Sequence, residues 1–81
     1  CSLVADGCYI EGEVENSIIS RGVIIEKGAR VCDSVLMQGA VVRSGASLAY
    51  VIADKNVTIN QDRMLMGHLT YPLAIAKESV V

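Results

Sequence analysis

His68 is the one histidine of the chain, and it follows Gly67 with no supporting motif around it. A histidine can act as a general base on a hydroxyl or amine, but it needs an orienting partner to do so. No such partner is placed by the spacing, so no catalytic residue is assigned. The three cysteines, Cys1, Cys8 and Cys32, are odd in number and lack metal-ligand spacing. They read as reduced thiols. Arg21, Gln38 and Lys55 recur 17 residues apart, and Lys27, Arg30 and Arg43 lie on neighbouring steps. Cations stacked in this way could hold the phosphate of a sugar-phosphate effector. The plainer expectation is a solvated outer face with Glu26 and Asp54 as counter-charges. Met37, Met64 and Met66, with Leu65 and Leu69, form either an apolar contact surface or a segment that folds over one end.

The elements that must position these residues come from a repeat. At an offset of 17, Val14 falls on Val31, Leu48 and Leu65, Ile25 falls on Val42 and Ile59, and Ser17 falls on Ser34. At the front the offset is 15, with Ser2, Leu3, Val4 and Ile10 matching Ser17, Ile18, Ile19 and Ile25. Within each repeat an aliphatic residue is followed four positions later by a small or β-branched one, as in Ile19/Val23, Ile25/Ala29 and Val31/Val35. Most steps are six residues, and the steps beginning at Val14, Val31 and Leu48 are five. Such a repeat is a unit that cannot bury its own apolar face and must stack on its neighbours. The period describes a coil with three flat sides, one side a residue short.

Glycine placement gives the corners. Gly7, Gly22, Gly28, Gly39 and Gly45 occupy the fourth position of a step, and Asn56 and Asp62 take that place later. These residue types accept a left-handed backbone. The short steps put Ser17, Ser34 and Val51 there, so those corners must turn differently. The expected fold is therefore an all-β, parallel β-helix of about four coils, a single domain over residues 1–81. Ile25, Val42 and Ile59 should form one inward column, and Val31, Leu48 and Leu65 another. The beat is expected to break over an irregular excursion at about 60–71. It should then resume with Ile75, Lys77, Ser79 and Val81 in the places of Ile25, Lys27, Ala29 and Val31, with Pro72 opening an edge strand.

Bulk composition agrees and excludes several classes. Hydrophobic residues are 52% of the chain, yet Phe and Trp are absent, which suits a narrow aliphatic interior of constant width. A net charge of −2 gives no general attraction to nucleic acid or an anionic membrane. No apolar run approaches the ~18 residues of a membrane span. The start at Cys1, with the repeat already running at Leu3, suggests a piece of a longer, cytoplasmic protein.

The aliphatic-x-x-Gly-small beat resembles the hexapeptide-repeat family, whose fold is the left-handed β-helix. The run Ser2-Leu-Val-Ala-Asp-Gly-Cys8, then Ile10-Glu-Gly-Glu-Val-Glu-Asn-Ser17 and Asp33-Ser-Val-Leu-Met-Gln-Gly39, looks like the C-terminal domain of bacterial glucose-1-phosphate adenylyltransferase (ADP-glucose pyrophosphorylase). Within that family Met37-Gln38-Gly39, Asp54-Lys-Asn-Val57 and Tyr71-Pro72 look more like the GlgD-type glycogen-biosynthesis subunit than the catalytic GlgC type. The resemblance implies a parent nucleotidyltransferase that uses ATP and Mg²⁺ in a domain absent here. It also implies that this domain serves subunit assembly, in homo- or hetero-oligomers of adenylyltransferase subunits, and allosteric regulation, with no cofactor of its own. Arg21, Lys27, Arg30, Arg43 and Lys55 are the candidate effector-binding residues. The alternative is a fragment of a hexapeptide-repeat acyltransferase.

Overall fold

The computed structural model describes residues 3–68, 70 and 72–81. Among them there are strands and turns and no helix. Thirteen short strands are arranged as three parallel sheets, each forming one side of a solenoid of about four turns. The first side stacks β1 (Leu3–Val4), β4 (Ile18–Ile19), β7 (Val35–Leu36), β10 (Val51–Ala53) and β13 (Leu73–Ile75). The second stacks β2 (Tyr9–Ile10), β5 (Ile24–Ile25), β8 (Val41–Val42) and β11 (Thr58–Ile59). The third stacks β3 (Glu13–Glu15), β6 (Arg30–Cys32), β9 (Ser47–Ala49) and β12 (Met64–Met66).

Register follows the period. Ile24 pairs with Val41 and Val41 with Thr58, each 17 residues on, so Ile25, Val42 and Ile59 stack inward and are fully buried. Val31 and Leu48 stack in the same way on the third side, with Leu65 half-buried above them. Side chains alternate across each strand. The core is therefore an aliphatic rod, closed at the corners by Val23, Ala29, Ala40, Ala46 and Val57. Burying an Ile or Val side chain in such a rod stabilises by about 1.5–3 kcal/mol.

Two corners are long and one is short. At the long corners Gly7, Gly22, Gly28, Gly39 and Gly45 have φ between +69° and +84°, and Asn56 and Asp62 take φ of 57° in the same place. At the short corner the left-handed residue comes one position earlier, at Asn16, Asp33 and Tyr50. The next residue then turns its side chain inward. Ser17 and Ser34 are buried, and their hydroxyls run as a ladder. Ser17 Oγ donates to Glu15 O at 2.8 Å and accepts from Ser34 N–H at 3.1 Å. Ser34 Oγ donates to Cys32 O at 2.7 Å and accepts from Val51 N–H at 3.1 Å. Each hydroxyl thus satisfies an amide of the next coil that would otherwise be buried without a partner. Val51 has no hydroxyl, and the next amide, Leu73 N–H, bonds to Tyr50 O at 2.9 Å instead.

Gly12 and Gly67, which the repeat leaves unexplained, stand where the coil length changes. The first coil is two residues short: Ile10 pairs with Ile25 at an offset of 15, and Glu13 with Arg30 at 17. Gly12 cuts that corner, and a Cβ there would lie 2.8 Å from Glu26 O and overlap Ala29 O. Gly67 opens the one long insertion, and a Cβ there would overlap Tyr50 O.

Two expectations need correction. The excursion is shorter than 60–71. Thr58 to Met66 keeps the 17-residue register with Val41 to Ala49, because Asn60 to Arg63 contains an ordinary corner with Asp62 at its left-handed position. The 17-residue register holds to Met66, and strand pairing resumes at Leu73. The resumed beat also lies one side earlier than expected. Ile75 pairs with Ala53, above Leu36 and Ile19, and Val80 bridges to Thr58, which brings Val81 to the Ile25 column. The insertion stretches this coil to 22 residues, so the six-residue beat alone assigns these residues to the wrong side. Pro72 lies just before β13, the edge strand of the first side, one residue ahead of the strand it was expected to open.

Candidate functional site

The three sides differ on their outer faces. The first presents Leu3, Ile18, Val35, Ile52 and Ala74 as one outward column, with Leu3 69% and Ile18 50% exposed. The second presents Tyr9, Ile24, Val41, Thr58 and Val80. The third carries Glu13, Glu15 and Arg30, then the exposed Met64 and Met66. Two faces are thus largely apolar and one is mixed.

The corner between the first and second sides stacks Arg21, Gln38 and Lys55. Gly39 N–H donates to Arg21 O at 3.1 Å, Asn56 N–H to Gln38 O at 3.0 Å, and Glu78 N–H to Lys55 O at 2.9 Å. These bonds hold the three side chains in one exposed row. With Ala5, Ser20, Val35 and Met37 they line a shallow groove along the edge of the first side. Asp54 Oδ1 accepts from Lys55 N–H at 2.7 Å, so that carboxylate is engaged by the corner backbone. This row is the most concentrated cationic feature of the sequence-derived set.

The other candidate cations lie elsewhere. Lys27 and Arg43 flank the corner between the second and third sides, where Glu26 Oε1 accepts from Ser44 N–H at 3.0 Å and from Ser44 Oγ at 3.2 Å. Arg30 is on the third side, where its Nε donates to Glu13 Oε2 at 2.9 Å. Both groups of that ion pair are well exposed, which makes it worth little to stability. The fold therefore brings Arg21 and Lys55 into one row and separates Lys27, Arg30 and Arg43 from it. Tyr9, on the second face, has its phenol raised above the usual value by a hydrogen bond to Glu11 and then by the Glu11 charge.

His68 is exposed on the insertion that follows β12. Cys8 Sγ donates to Ser20 O at 3.0 Å, and Cys8 and Cys32 are free thiols. Cys1 and Leu69 lie outside the described residues. Met64 and Met66 project from an ordinary strand of the third side and do not cover an end, while Met37 lines the groove with Arg21. Among the described residues, no three His, Cys, Asp or Glu side chains come together as a metal site. No helix among them is long and apolar enough to cross a membrane.

The three-sided solenoid has Gly, Asn or Asp at most of its long corners, with Glu78 at the last one, and residues 1–68 match the family described as GlmU-like, C-terminal hexapeptide. The chain belongs to the GlmU-like C-terminal hexapeptide family. Its relatives include the glucose-1-phosphate adenylyltransferase of Clostridioides difficile (strain 630), 41% identical over 61 residues, which are 75% of this chain and 16% of that protein. The glucose-1-phosphate adenylyltransferases of Bacillus cytotoxicus and Bacillus thuringiensis (strain Al Hakam) are each 34% identical over 64 residues, 79% of this chain and 17% of theirs. The chain thus spans about a sixth of the length of these relatives. No solved structure matches it. Within the hexapeptide family, the serine ladder is the feature that residue spacing missed. Its only trace in the sequence is a serine at the same place in two successive five-residue steps.

Proposed function

We propose that this hexapeptide solenoid is the assembly and regulatory part of a cytoplasmic glucose-1-phosphate adenylyltransferase-family subunit in ADP-glucose synthesis. The observation that carries this is the match to adenylyltransferases over three quarters or more of the chain, combined with two apolar outer faces on a fold that already has a filled core. A contiguous apolar surface on a soluble fold marks a contact with another protein or domain. The chemistry, with ATP and Mg²⁺, belongs in this reading to the remaining five-sixths or so of such a subunit. Arg21 and Lys55, aligned with Gln38 between them, are the residues proposed to meet a sugar-phosphate effector. Lys27, Arg30 and Arg43 are assigned a secondary role in attracting it. The motifs Met37-Gln38-Gly39 and Asp54-Lys55-Asn56-Val57 support a modulating, GlgD-type subunit.

The test uses a full-length subunit with and without this segment. Removal should abolish the native oligomer in light scattering and the response of pyrophosphate production to sugar phosphates. A truncated subunit that keeps both its oligomer and its effector response would overturn the proposal. The isolated chain should release no pyrophosphate from ATP and glucose 1-phosphate.

A further inference from the structure

At the corner between the first and second sides, most left-handed residues have their amide tied to the neighbouring coil. Gly39 N–H donates to Arg21 O at 3.1 Å, Asn56 N–H to Gln38 O at 3.0 Å and Glu78 N–H to Lys55 O at 2.9 Å. Gly7 holds the same place in the first coil, at φ 77°, and among the described residues no hydrogen bond engages its N–H. Asp6, just before it, is exposed, and its carboxylate has no hydrogen-bond or ion-pair partner among them either. Asp6-Gly7 is also the one Asp-Gly step in the sequence. A free amide with no side chain to shield it thus follows a free carboxyl group. We propose that Asp6-Gly7 is a site of spontaneous covalent modification, at which Asp6 converts to isoaspartate through a cyclic imide. Gly7 N attacks Cγ of Asp6, a C–N bond closes a five-membered ring, and the carboxyl hydroxyl leaves as water with the amide proton. Water then opens the ring. Breaking the bond from Gly7 N to Cγ restores aspartate. Breaking the bond from Gly7 N to the backbone carbonyl carbon of Asp6 leaves the main chain running through Cγ, one methylene longer.

The fold holds back the other Asp and Asn steps. Asp33 is exposed at a corner too, but the following amide, Ser34 N–H, donates to Ser17 Oγ at 3.1 Å, and Ser34 is only 3% exposed. Asn16 precedes Ser17, which is buried as well. Lys55 N–H is held by the Asp54 carboxylate at 2.7 Å, and the Lys55 side chain, like that of Arg63 after Asp62, crowds the ring that would form. An amide tied to another coil attacks only after local opening, whereas Gly7 needs none. The product has a structural consequence. The extra backbone atom falls between Ala5 and Tyr9, whose N–H groups donate to Ile19 O at 2.9 Å and Val23 O at 3.0 Å. These bonds join the first coil to the second on either side of the corner, and a longer corner cannot keep both in register. The first coil should therefore loosen from the second, while the buried columns beyond it stay intact.

Ageing the 81-residue chain in mildly acidic buffer tests this. Isoaspartate is counted by labelling with isoaspartyl methyltransferase and located by electron-transfer fragmentation of peptides. It should accumulate at Asp6 at least about tenfold faster than at Asp33, Asp54 or Asp62. Hydrogen exchange of the aged chain should rise at Ala5 and Tyr9 and stay unchanged at Val42. In urea the lead of Asp6 over Asp33 should shrink, because Ser34 N–H is then free. Asp6→Glu, which would have to close a six-membered ring, should abolish both the label at residue 6 and the loosening. Gly7→Ala, whose Cβ would meet nothing nearer than Gly22 N at 4.0 Å, should fold and react more slowly. Equal accumulation at Asp6 and Asp33 in the folded chain overturns the inference. So does an Asp6 that is modified in urea and inert when folded, which would mean that the corner holds it in an unreactive geometry. Isoaspartate at Asp6 with no rise in exchange at Ala5 and Tyr9 overturns the loosening of the first coil.

Discussion

The long corners and the short corner solve one problem by different means, and the difference is between a local solution and a relayed one. At a long corner the demand is for a left-handed backbone at one residue, and Gly28 meets it with no side chain of another coil against it. At the short corner the left-handed position falls on Asn16, Asp33 and Tyr50, and the inward residue must then serve an amide of the coil above. Ser17 serves Ser34 and Ser34 serves Val51. The relay ends at Val51, where Tyr50 O receives Leu73 N–H. A fault at a long corner such as Gly28 should therefore be felt mainly at that residue. A fault at the short corner should be felt one coil away.

The comparison presumes that the flat sides between corners are equally firm, and Val42→Asp tests that first with the largest effect. Its carboxylate would sit in a fully buried column between Ile25 and Ile59, and the chain should be unfolded at 25 °C by circular dichroism. A folded Val42→Asp protein would mean that the columns do not carry the fold. Next, Ser34→Ala removes the acceptor of the buried Val51 N–H and should cost about 2–3 kcal/mol in urea unfolding. Hydrogen exchange should show the loss of protection at Val51, one coil above the mutation. A loss of protection at residue 34 alone would erase the distinction between relayed and local corners.

Smaller effects divide the long corners among themselves. Gly45→Ala places a methyl against Asp62 Oδ1 at φ 76° and should cost about 2 kcal/mol, whereas Gly28→Ala, with only Gly45 N at 3.6 Å, should cost about 1 kcal/mol. Gly45→Ala in an Asp62→Gly background should fall to the Gly28→Ala value. If it does not, the side-chain contact is irrelevant and only the dihedral matters. The smallest effect is expected at Arg30→Ala, which breaks an exposed ion pair with Glu13 and should change stability by less than about 0.5 kcal/mol. A larger loss would give the third side a structural role that its exposure argues against.

The three-sided coil is legible along the chain, because every element of it is a one-dimensional constraint. An inward residue recurs with the step, a left-handed corner favours Gly, Asn or Asp, and parallel stacking at a constant offset turns period into register. Ile25, Val42 and Ile59 could therefore be assigned to one column, and Gly22, Gly28, Gly39 and Gly45 to corners, from spacing alone. The left hand of the winding was not in the spacing and came with the family. The tertiary structure decided what depends on the coil above or below. It decided that Gly12 is required by the carbonyls of Ala29 and Glu26 and not by its own dihedral. It decided that Ser17 and Ser34 form a ladder, and that a 22-residue coil sets Ile75 at the end of the Ile19 column. It also separated the candidate cations, stacking Arg21 with Lys55 and leaving Arg30 to Glu13, because which side a residue lies on depends on the summed lengths of all earlier steps. An insertion changes that sum without changing the beat, so its effect appears only when the coils are stacked.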